Sequence, residues 1–273
     1  MSQAEGPVYH TAIWAEEAEA DNPFAARAAY CRGYDVYGEL LPQAGWFEYL
    51  LLLFRGERPS PGEAALLERL AVAIAHPGAR DASVRAAMNS GVSQATHAAT
   101  LMTALAVGSG LYGGSEEVAA CLRLWAVLEA DLPGWQAALA KREAPERADI
   151  WRPLEHAPGF DPNGESCPTP VRQTLDVLAA VSPGRSLAWL RAQRPALEAA
   201  AGAPLAMTGV IAAACHDLRL DEHQAAMLTL MLRLPGAAVQ ALEQRERGWR
   251  QFPFFGRHIH LTDDPGRRDG EPS

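Results

Sequence analysis

The sequence predicts an all-α protein, because helical patterns continue through most of the chain and period-two alternation is almost absent. The clearest helix start lies at residues 60–63, a capping box in which Ser60 accepts a first-turn amide and Glu63 reaches back to the cap. Pro61 suits the first helical position. The apolar residues at positions 66, 67, 70, 71 and 74 then fall on one face of this helix.

A second capping pattern, from Asp221 to Gln224, opens a helix that we expect to end at Pro235-Gly236. Another helix is predicted over residues 237–247. The remaining helical segments are rich in alanine and leucine. They lie at residues 94–107, 116–130, 170–181, 186–200 and 205–217.

The longest irregular stretch, residues 143–169, is rich in proline, glycine and charged residues. A loop of this length between helices is either a domain linker or a functional loop. The tail from residue 263 onward is predicted to be loose.

Composition indicates a globular chain with an acidic balance. Of the 273 residues, 48% are hydrophobic and 21% are charged, and the net charge is −9. This charge disfavours nonspecific binding to nucleic acid or to anionic lipid. The most apolar runs, 49–54 and 203–215, are shorter than the roughly 18 residues that span a bilayer, and the start lacks a signal-peptide pattern. We therefore expect a cytoplasmic protein with no nucleic-acid or membrane partner.

The cysteines and histidines do not form a metal-binding pattern. The four cysteines are widely separated and contain no CxxC pair, which favours core or site-edge residues over a zinc cluster or a disulfide framework. They are Cys31, Cys121, Cys167 and Cys215. His258 and His260 have a spacing that suits a metal on a strand, but no third ligand lies nearby in the sequence. We expect no metal site.

Several short motifs, in order and spacing, resemble those of the citrate synthase and citryl-CoA lyase family. They are Arg32-Gly33-Tyr34-Asp35, Tyr112-Gly113-Gly114, Pro158-Gly159-Phe160 and Pro235-Gly236-Ala237-Ala238. The resemblance covers the chain from about residue 32 to residue 265, and the short chain is most similar to the compact citryl-CoA lyases. It implies a citrate synthase-like homodimer with two helical domains. The large domain would comprise residues 1–159 and 235–262, the small domain residues 160–234, and the flexible tail residues 263–273.

The resemblance also implies an acyl-CoA thioester and a small carboxylic oxo acid as substrates, with no covalently bound cofactor. His76 falls where the family holds the oxo acid, and Arg172 and Arg257 fall near carboxylate-binding arginines. A planar guanidinium can hold a carboxylate through two parallel hydrogen bonds. We expect these three residues to line one cleft.

The family's acid–base positions are altered in this chain. Tyr112 stands where the family has the histidine that promotes enol formation, Pro162 stands in place of a second histidine, and Ala206 replaces the aspartate that removes the α-proton. A positioned proton-transfer group contributes about 10²–10⁴-fold to rate. The candidates for catalysis are Tyr112 as a hydrogen-bond donor and Asp161, one position before the lost histidine. His156, just upstream, is a further candidate for a relocated catalyst.

Three functions remain open from the sequence. The first is an enzyme that makes or breaks a carbon–carbon bond between an acyl-CoA and an oxo acid, of the citrate synthase or citryl-CoA lyase type. The second is a non-catalytic homologue that binds a CoA ester or a carboxylate as a sensor or partner subunit. The third is a helical assembly protein that retains only the dimer surface.

Overall fold

The computed structural model describes residues 9–140 and 156–252 of the chain. The predicted substrate-binding residue Arg257, the His258 and His260 pair, residues 143–155 of the irregular stretch and the predicted tail lie outside these residues.

The described chain contains a small N-terminal sheet followed by eleven α-helices. The strands are β1 Trp14–Ala18, β2 Ala26–Cys31 and β3 Tyr34–Asp35. The helices are α1 Leu41–Gln43, α2 Trp46–Arg55, α3 Pro61–Ile74, α4 Ala82–Val92, α5 His97–Gly108, α6 Ser115–Leu128, α7 Leu132–Ala140, α8 Thr169–Val181, α9 Ser186–Ala201, α10 Met207–Asp217 and α11 Glu222–Arg247. A π-helical turn, Val36–Leu40, precedes α1, and a 3-10 turn, Trp249–Gln251, follows α11.

The predicted all-α fold class is confirmed. The capping box of Ser60 and Glu63 opens α3, and Asp221 caps α11 together with Gln224. Helices α5, α6, α8, α9 and α10 occupy the five alanine- and leucine-rich segments, with ends shifted by a few residues.

The antiparallel sheet, in the order β1-β2-β3, was not predicted from the sequence. Its strands are rich in alanine and glutamate, which favour strands weakly. The period-two signal is confined to Ala29 and Cys31, which are buried while their neighbours are more exposed. The strands β2 and β3 are joined by Arg32 and Gly33, both with positive φ (53° and 89°). The Arg-Gly-Tyr-Asp motif is therefore a tight turn, and its Asp35 caps the π-helical turn.

The predicted helix end at Pro235-Gly236 is wrong, because α11 continues through both residues to Arg247. Proline in a helix lacks the N–H for the usual bond to the preceding turn. The N–H of Gly236 donates to the carbonyl oxygen of Ala75 at 2.8 Å, outside α11. A Cβ at position 236 would lie 2.4 Å from that oxygen, so the glycine permits close contact between α11 and the end of α3. The predicted domain boundary at 234/235 falls inside one helix, and the division into domains stays a prediction.

Two hydrophobic clusters form the core, and α11 contributes to both. The main cluster gathers side chains from α2, α3 and α6–α10, with Trp125 packed edge-on against Trp135 at 4.9 Å between ring centroids. The second cluster joins α4 and α5 to the C-terminal half of α11. Among the described helices, only α11 is long and apolar enough to cross a membrane, and it packs against α3, α4, α5 and α6. Core helices of folded proteins commonly meet the same test.

A buried carboxylate ties the start of α3 to two neighbouring segments. Glu63 accepts hydrogen bonds from the Ser60 N–H at 2.7 Å, from Arg55 at 2.5 Å and from Arg219 at 3.0 Å. Burial acts to raise the pKa of Glu63, but these hydrogen bonds outweigh it and lower the pKa from 4.5 to about 2.

We predict that Glu63→Gln lowers the free energy of unfolding at pH 7 by on the order of 3 kcal/mol, from about 1.4 kcal/mol per pKa unit. Because the pKa is lower in the folded state, this contribution is complete above about pH 4.5 and is lost as the pH falls towards 2. Urea unfolding between pH 3 and pH 7 measures it. Glu68→Gln, at an exposed position on the same helix, is the control and should change little. The lowered pKa of Glu63 would be contradicted if the free energy of unfolding differed between Glu63→Gln and wild type by an amount that does not vary with pH.

Candidate functional site

A cleft of about 660 Å³ lies among the end of α3, the start of α6, the segment 156–162, the start of α10 and the middle of α11. Six of the candidate positions singled out in the sequence line it together, although they come from widely separated parts of the chain. They are His76, Tyr112, His156, Asp161, Pro162 and Ala206. Its volume is within the range typical of small-molecule sites.

The loop that carries Tyr112 is held by hydrogen bonds to the backbone N–H and the backbone carbonyl of Gly113. The Gly113 N–H donates to Glu117 Oε2 at 2.6 Å, and Arg233 Nη1 donates to the Gly113 carbonyl at 2.8 Å. The next residue, Gly114, has no room for a side chain, since its Cβ would lie 2.2 Å from the Gly110 carbonyl oxygen. This loop presents Tyr112 at the cleft with 61% of its surface exposed.

The side chain of Glu117 is 3% exposed and holds three parts of the site together. Besides the Gly113 N–H, it accepts the Gly159 N–H at Oε1, at 3.0 Å, and the same oxygen lies 3.2 Å from His156 Nε2. An ionised carboxylate only accepts hydrogen bonds, so donors surround both of its oxygens. Glu117 was not singled out in the sequence. The one signal for it is its position in the first turn of α6, where carboxylates are favoured.

His156 is buried beside Tyr112, with only 5% of its side chain exposed. The two rings stack with centroids 5.3 Å apart and an interplanar angle of 27°. In the neutral imidazole, a hydrogen bond from the Nε2 N–H to the Glu117 carboxylate leaves the lone pair on Nδ1. Nδ1 is buried and has no hydrogen-bond partner among the described residues. His156 lines the cleft.

Residues 159–161 and 204–206 pair like two short antiparallel strands at the cleft wall. The Asp161 N–H donates to the Pro204 carbonyl at 2.8 Å, and the Ala206 N–H donates to the Gly159 carbonyl at 2.9 Å. Asp161 Oδ1 accepts the Asn163 N–H at 2.9 Å, which shapes the following turn. The wall therefore offers the Asp161 carboxylate but only a methyl group at position 206.

Arg233 is a cation that the sequence analysis missed. It is 9% exposed, lines the cleft and pairs with Asp81, which also caps α4. An arginine within an otherwise apolar helix is rarely buried without a partner. That exception to the apolar pattern of α11 is the signal that could have identified Arg233.

His76 lies at the exposed rim of the same cleft. Its Nδ1 accepts the Gly78 N–H at 2.9 Å, so Nε2 carries the proton and faces Gln240 Oε1 at 3.2 Å. Both ring nitrogens are thus engaged by the protein. The N–H of His76 can donate to a ligand only by leaving Gln240.

Arg172 lies in a different depression, of about 470 Å³, which Arg194 and Glu198 also line. It donates to Thr169 Oγ1 at 2.9 Å. The structure does not bring Arg172 into the cleft of His76, although Val171 lines that cleft. Arg257 lies outside the described residues, so its predicted place in the cleft stays a prediction.

The four cysteines are free and buried. Burial, together with the charge of Glu117, raises the pKa of Cys121, one turn further along α6. Burial likewise raises the pKa of Cys215 to about 12. The thiols of Cys121 and Cys215 therefore stay protonated near neutral pH and are poor nucleophiles. The described residues also contain no cluster of three or more histidine, cysteine or acidic side chains placed to hold a metal.

We predict that Glu117→Gln destabilises the protein by about 2–3 kcal/mol, because an amide cannot accept at both positions and leaves a buried backbone N–H unpaired. The amides of Gly113 and Gly159 should lose the most protection from solvent exchange. Hydrogen–deuterium exchange at these two amides measures this loss. Glu116→Gln, at the exposed neighbouring position, should leave both amides protected. Equal protection in the two variants would refute the role of Glu117 as the common acceptor.

No protein-family model and no curated protein matches this sequence. Solved structures do match. Citryl-CoA lyase from Hydrogenobacter thermophilus aligns with a TM-score of 0.71 and 17% identity, over 96% of this chain and 97% of that chain. ATP citrate lyase from Methanothrix soehngenii, in complex with citrate and coenzyme A, aligns with a TM-score of 0.72 and 14% identity. A mutant ATP citrate lyase from Methanosaeta concilii, in complex with (3S)-citryl-CoA, aligns with a TM-score of 0.72 and 13% identity.

The alignments with the two ATP citrate lyases cover 97% of this chain but only 43% of those longer chains. The TM-scores of 0.71 to 0.72 establish a common fold, and identities of 13% to 17% carry the comparison no further than the fold. The chain has the citrate synthase-like helical fold that citryl-CoA lyase has, over almost the full length of both.

Proposed function

We propose that this chain makes or breaks a carbon–carbon bond between an acyl-CoA and a small oxo acid, in the manner of a citryl-CoA lyase. The observation that carries the proposal is the convergence in one cleft of the positions that the family resemblance links to chemistry. His76, Tyr112, Asp161 and Ala206 come from four separate parts of the chain. A similarly folded protein has been solved with citrate and coenzyme A, which supports the same ligand class here.

Arg233 and His76 are the groups in this cleft best suited to a substrate carboxylate. The guanidinium of Arg233 is already fixed by Asp81 and by the Gly113 carbonyl, so its orientation costs little further entropy on binding. His76 lines the same cleft and offers the N–H that faces Gln240 Oε1. The carboxylate-binding roles of Arg172 and Arg257 remain part of the proposal.

A non-catalytic binder is the second candidate, and one observation favours it. Ala206 and Pro162 line the cleft where the resembled family has proton-transfer groups, and neither side chain can move a proton. In this case the protein would bind a CoA ester or a carboxylate as a sensor or a partner subunit. Binding is common to both candidates, whereas turnover separates them.

We predict that CoA, acetyl-CoA, oxaloacetate or citrate raises the Tm of the protein. A ligand at about 100 times its Kd stabilises the folded state by about 2.7 kcal/mol, or several degrees for a chain of this size. Arg233→Met should reduce the rise in Tm that oxaloacetate and citrate produce. Arg245→Met is the matched control, because Arg245 is on the same helix but donates to the Ala95 carbonyl away from the cleft. No shift with any of the four compounds would reject both candidates and leave an assembly protein.

The proposed homodimer is supported by apolar side chains exposed on the adjacent helices α5 and α11. They include Met102, Val107, Met227, Met231 and Leu242. Exposed apolar patches of this kind mark interfaces. A cytoplasmic location without nucleic-acid or membrane partners remains the expectation from composition.

We predict that Met102→Lys shifts the protein from dimer to monomer, because a desolvated charge is costly in an apolar interface. Light scattering coupled to size-exclusion chromatography measures the mass. Val72→Lys, at a similarly exposed position on α3, is the control and should stay dimeric. A wild-type monomer at micromolar concentration would refute the dimer.

A further inference from the structure

We propose that His156, oriented by Glu117, is the proton shuttle for the carbon–carbon step and takes over the work of the groups lost at positions 112, 162 and 206. This inference rests on the function proposed above. It concerns a residue outside the motif positions on which that function rests.

The two ring nitrogens of His156 have different surroundings. Glu117 holds Nε2 as a donor, which leaves the lone pair on Nδ1. Nδ1 is buried in a ring that lines the cleft, and it has no partner in the part of the chain that the structure describes. An unpaired buried polar atom costs about 1–3 kcal/mol, and native structures usually retain one for a reason. Because Nδ1 is buried in the unliganded protein, a substrate hydroxyl reaches it only when the cleft rearranges on binding, and the substrate proton then satisfies it.

The other proton-transfer groups at the cleft are Tyr112, His76, Asp81 and Asp161. A tyrosine hydroxyl is a hydrogen-bond donor but a poor base. Both ring nitrogens of His76 are engaged, by Gly78 and Gln240. Asp81 is paired with Arg233. Asp161 uses one oxygen in the turn at Asn163 and is the remaining competitor.

Glu117 and His156 have the arrangement of a base with an orienting carboxylate. In such pairs the carboxylate fixes the tautomer and stabilises the imidazolium that forms during proton transfer. Here the carboxylate is itself fixed by the N–H groups of Gly113 and Gly159, so its direction is set by the backbone. The stacked ring of Tyr112 covers the imidazole. Glu117 is a positioning residue, and His156 is the catalytic one.

One base is sufficient for this chemistry. In cleavage of a 3-hydroxyacyl thioester, Nδ1 takes the hydroxyl proton and the O–H electron pair forms the carbonyl. The bond between the α- and β-carbons breaks, and its electron pair becomes the thioester enolate. The imidazolium then returns the proton to the α-carbon, which yields the oxo acid and the acyl-CoA with no other reactant. Condensation is the same sequence in reverse.

The test follows deuterium exchange into the acetyl group of acetyl-CoA in D₂O with oxaloacetate present, by mass spectrometry. His156→Gln should lose about 10²-fold or more of the exchange rate, and added imidazole should restore part of it in His156→Ala. His223→Gln, at an exposed position of α11, is the matched control. Glu117→Gln should slow exchange and also change the ¹⁵N shifts of the His156 ring, which in wild type should report a protonated Nε2. That NMR readout does not depend on activity.

The outcomes separate this inference from the proposed function. Exchange in wild type that survives in His156→Gln rejects the shuttle and leaves the function standing. Exchange lost in Asp161→Asn but kept in His156→Gln assigns the shuttle to Asp161 instead. A wild-type ring protonated at Nδ1 also rejects the shuttle. If wild type neither binds the compounds nor exchanges, the function and the shuttle both fail.

Discussion

The Glu117 carboxylate is the interaction on which the rest of the site depends. It is the common acceptor for the Tyr112 loop, for the segment that begins at His156 and for the wall that carries Asp161. A buried carboxylate is expensive to desolvate, and this one is tolerated because hydrogen bonds reach both of its oxygens. The same bonds that stabilise the charge therefore define the geometry of the cleft.

Close backbone contacts at glycines provide the second constraint. Gly159 and Gly209 approach until a Cβ on Gly209 would lie 2.6 Å from the Gly159 carbonyl oxygen. Gly91 approaches the Ala241 carbonyl in the same way and brings α4 against α11. Such contacts allow helices to lie nearer to each other than ordinary side chains permit. They place the buried charges of neighbouring elements within hydrogen-bonding distance.

Much of the helical framework could be predicted from the sequence because its signals are local. Caps, amphipathic faces and alanine-rich segments depend on residues within a few positions of one another. The small sheet could not be predicted, since its strands show little apolar alternation and are fixed by backbone pairing and by bonds from Arg27 and Tyr30 to Glu17, which exist only once the strands have paired. Pro235 was misread for a related reason: its helix is held by contacts with α3 that no local pattern reveals.

The candidate site was predictable where motifs mark it and not where tertiary contacts create it. His76, Tyr112 and Asp161 lie in recognisable motifs and line the cleft. Glu117 accepts the N–H groups of Gly113 and Gly159, and Arg233 donates to the Gly113 carbonyl. Gly159 lies 42 positions from Glu117, and Gly113 lies 120 positions from Arg233, so these partners cannot be read from the sequence around either residue. Arg172 lies in a motif but in another depression, because a position at the start of α8 does not fix the direction in which the side chain points.

The bonds of Arg233 have a consequence for synthesis of the chain on the ribosome. Arg233 lies 120 residues after Gly113 and 152 after Asp81, and it joins both. Helices α3 to α10 are complete before this arginine is translated, yet until then Asp81 lacks its cation and the Tyr112 loop lacks one of its two anchors. Contacts of such long sequence separation form late in folding. A nascent chain that stalls before α11 can therefore contain most of the helices but no finished cleft.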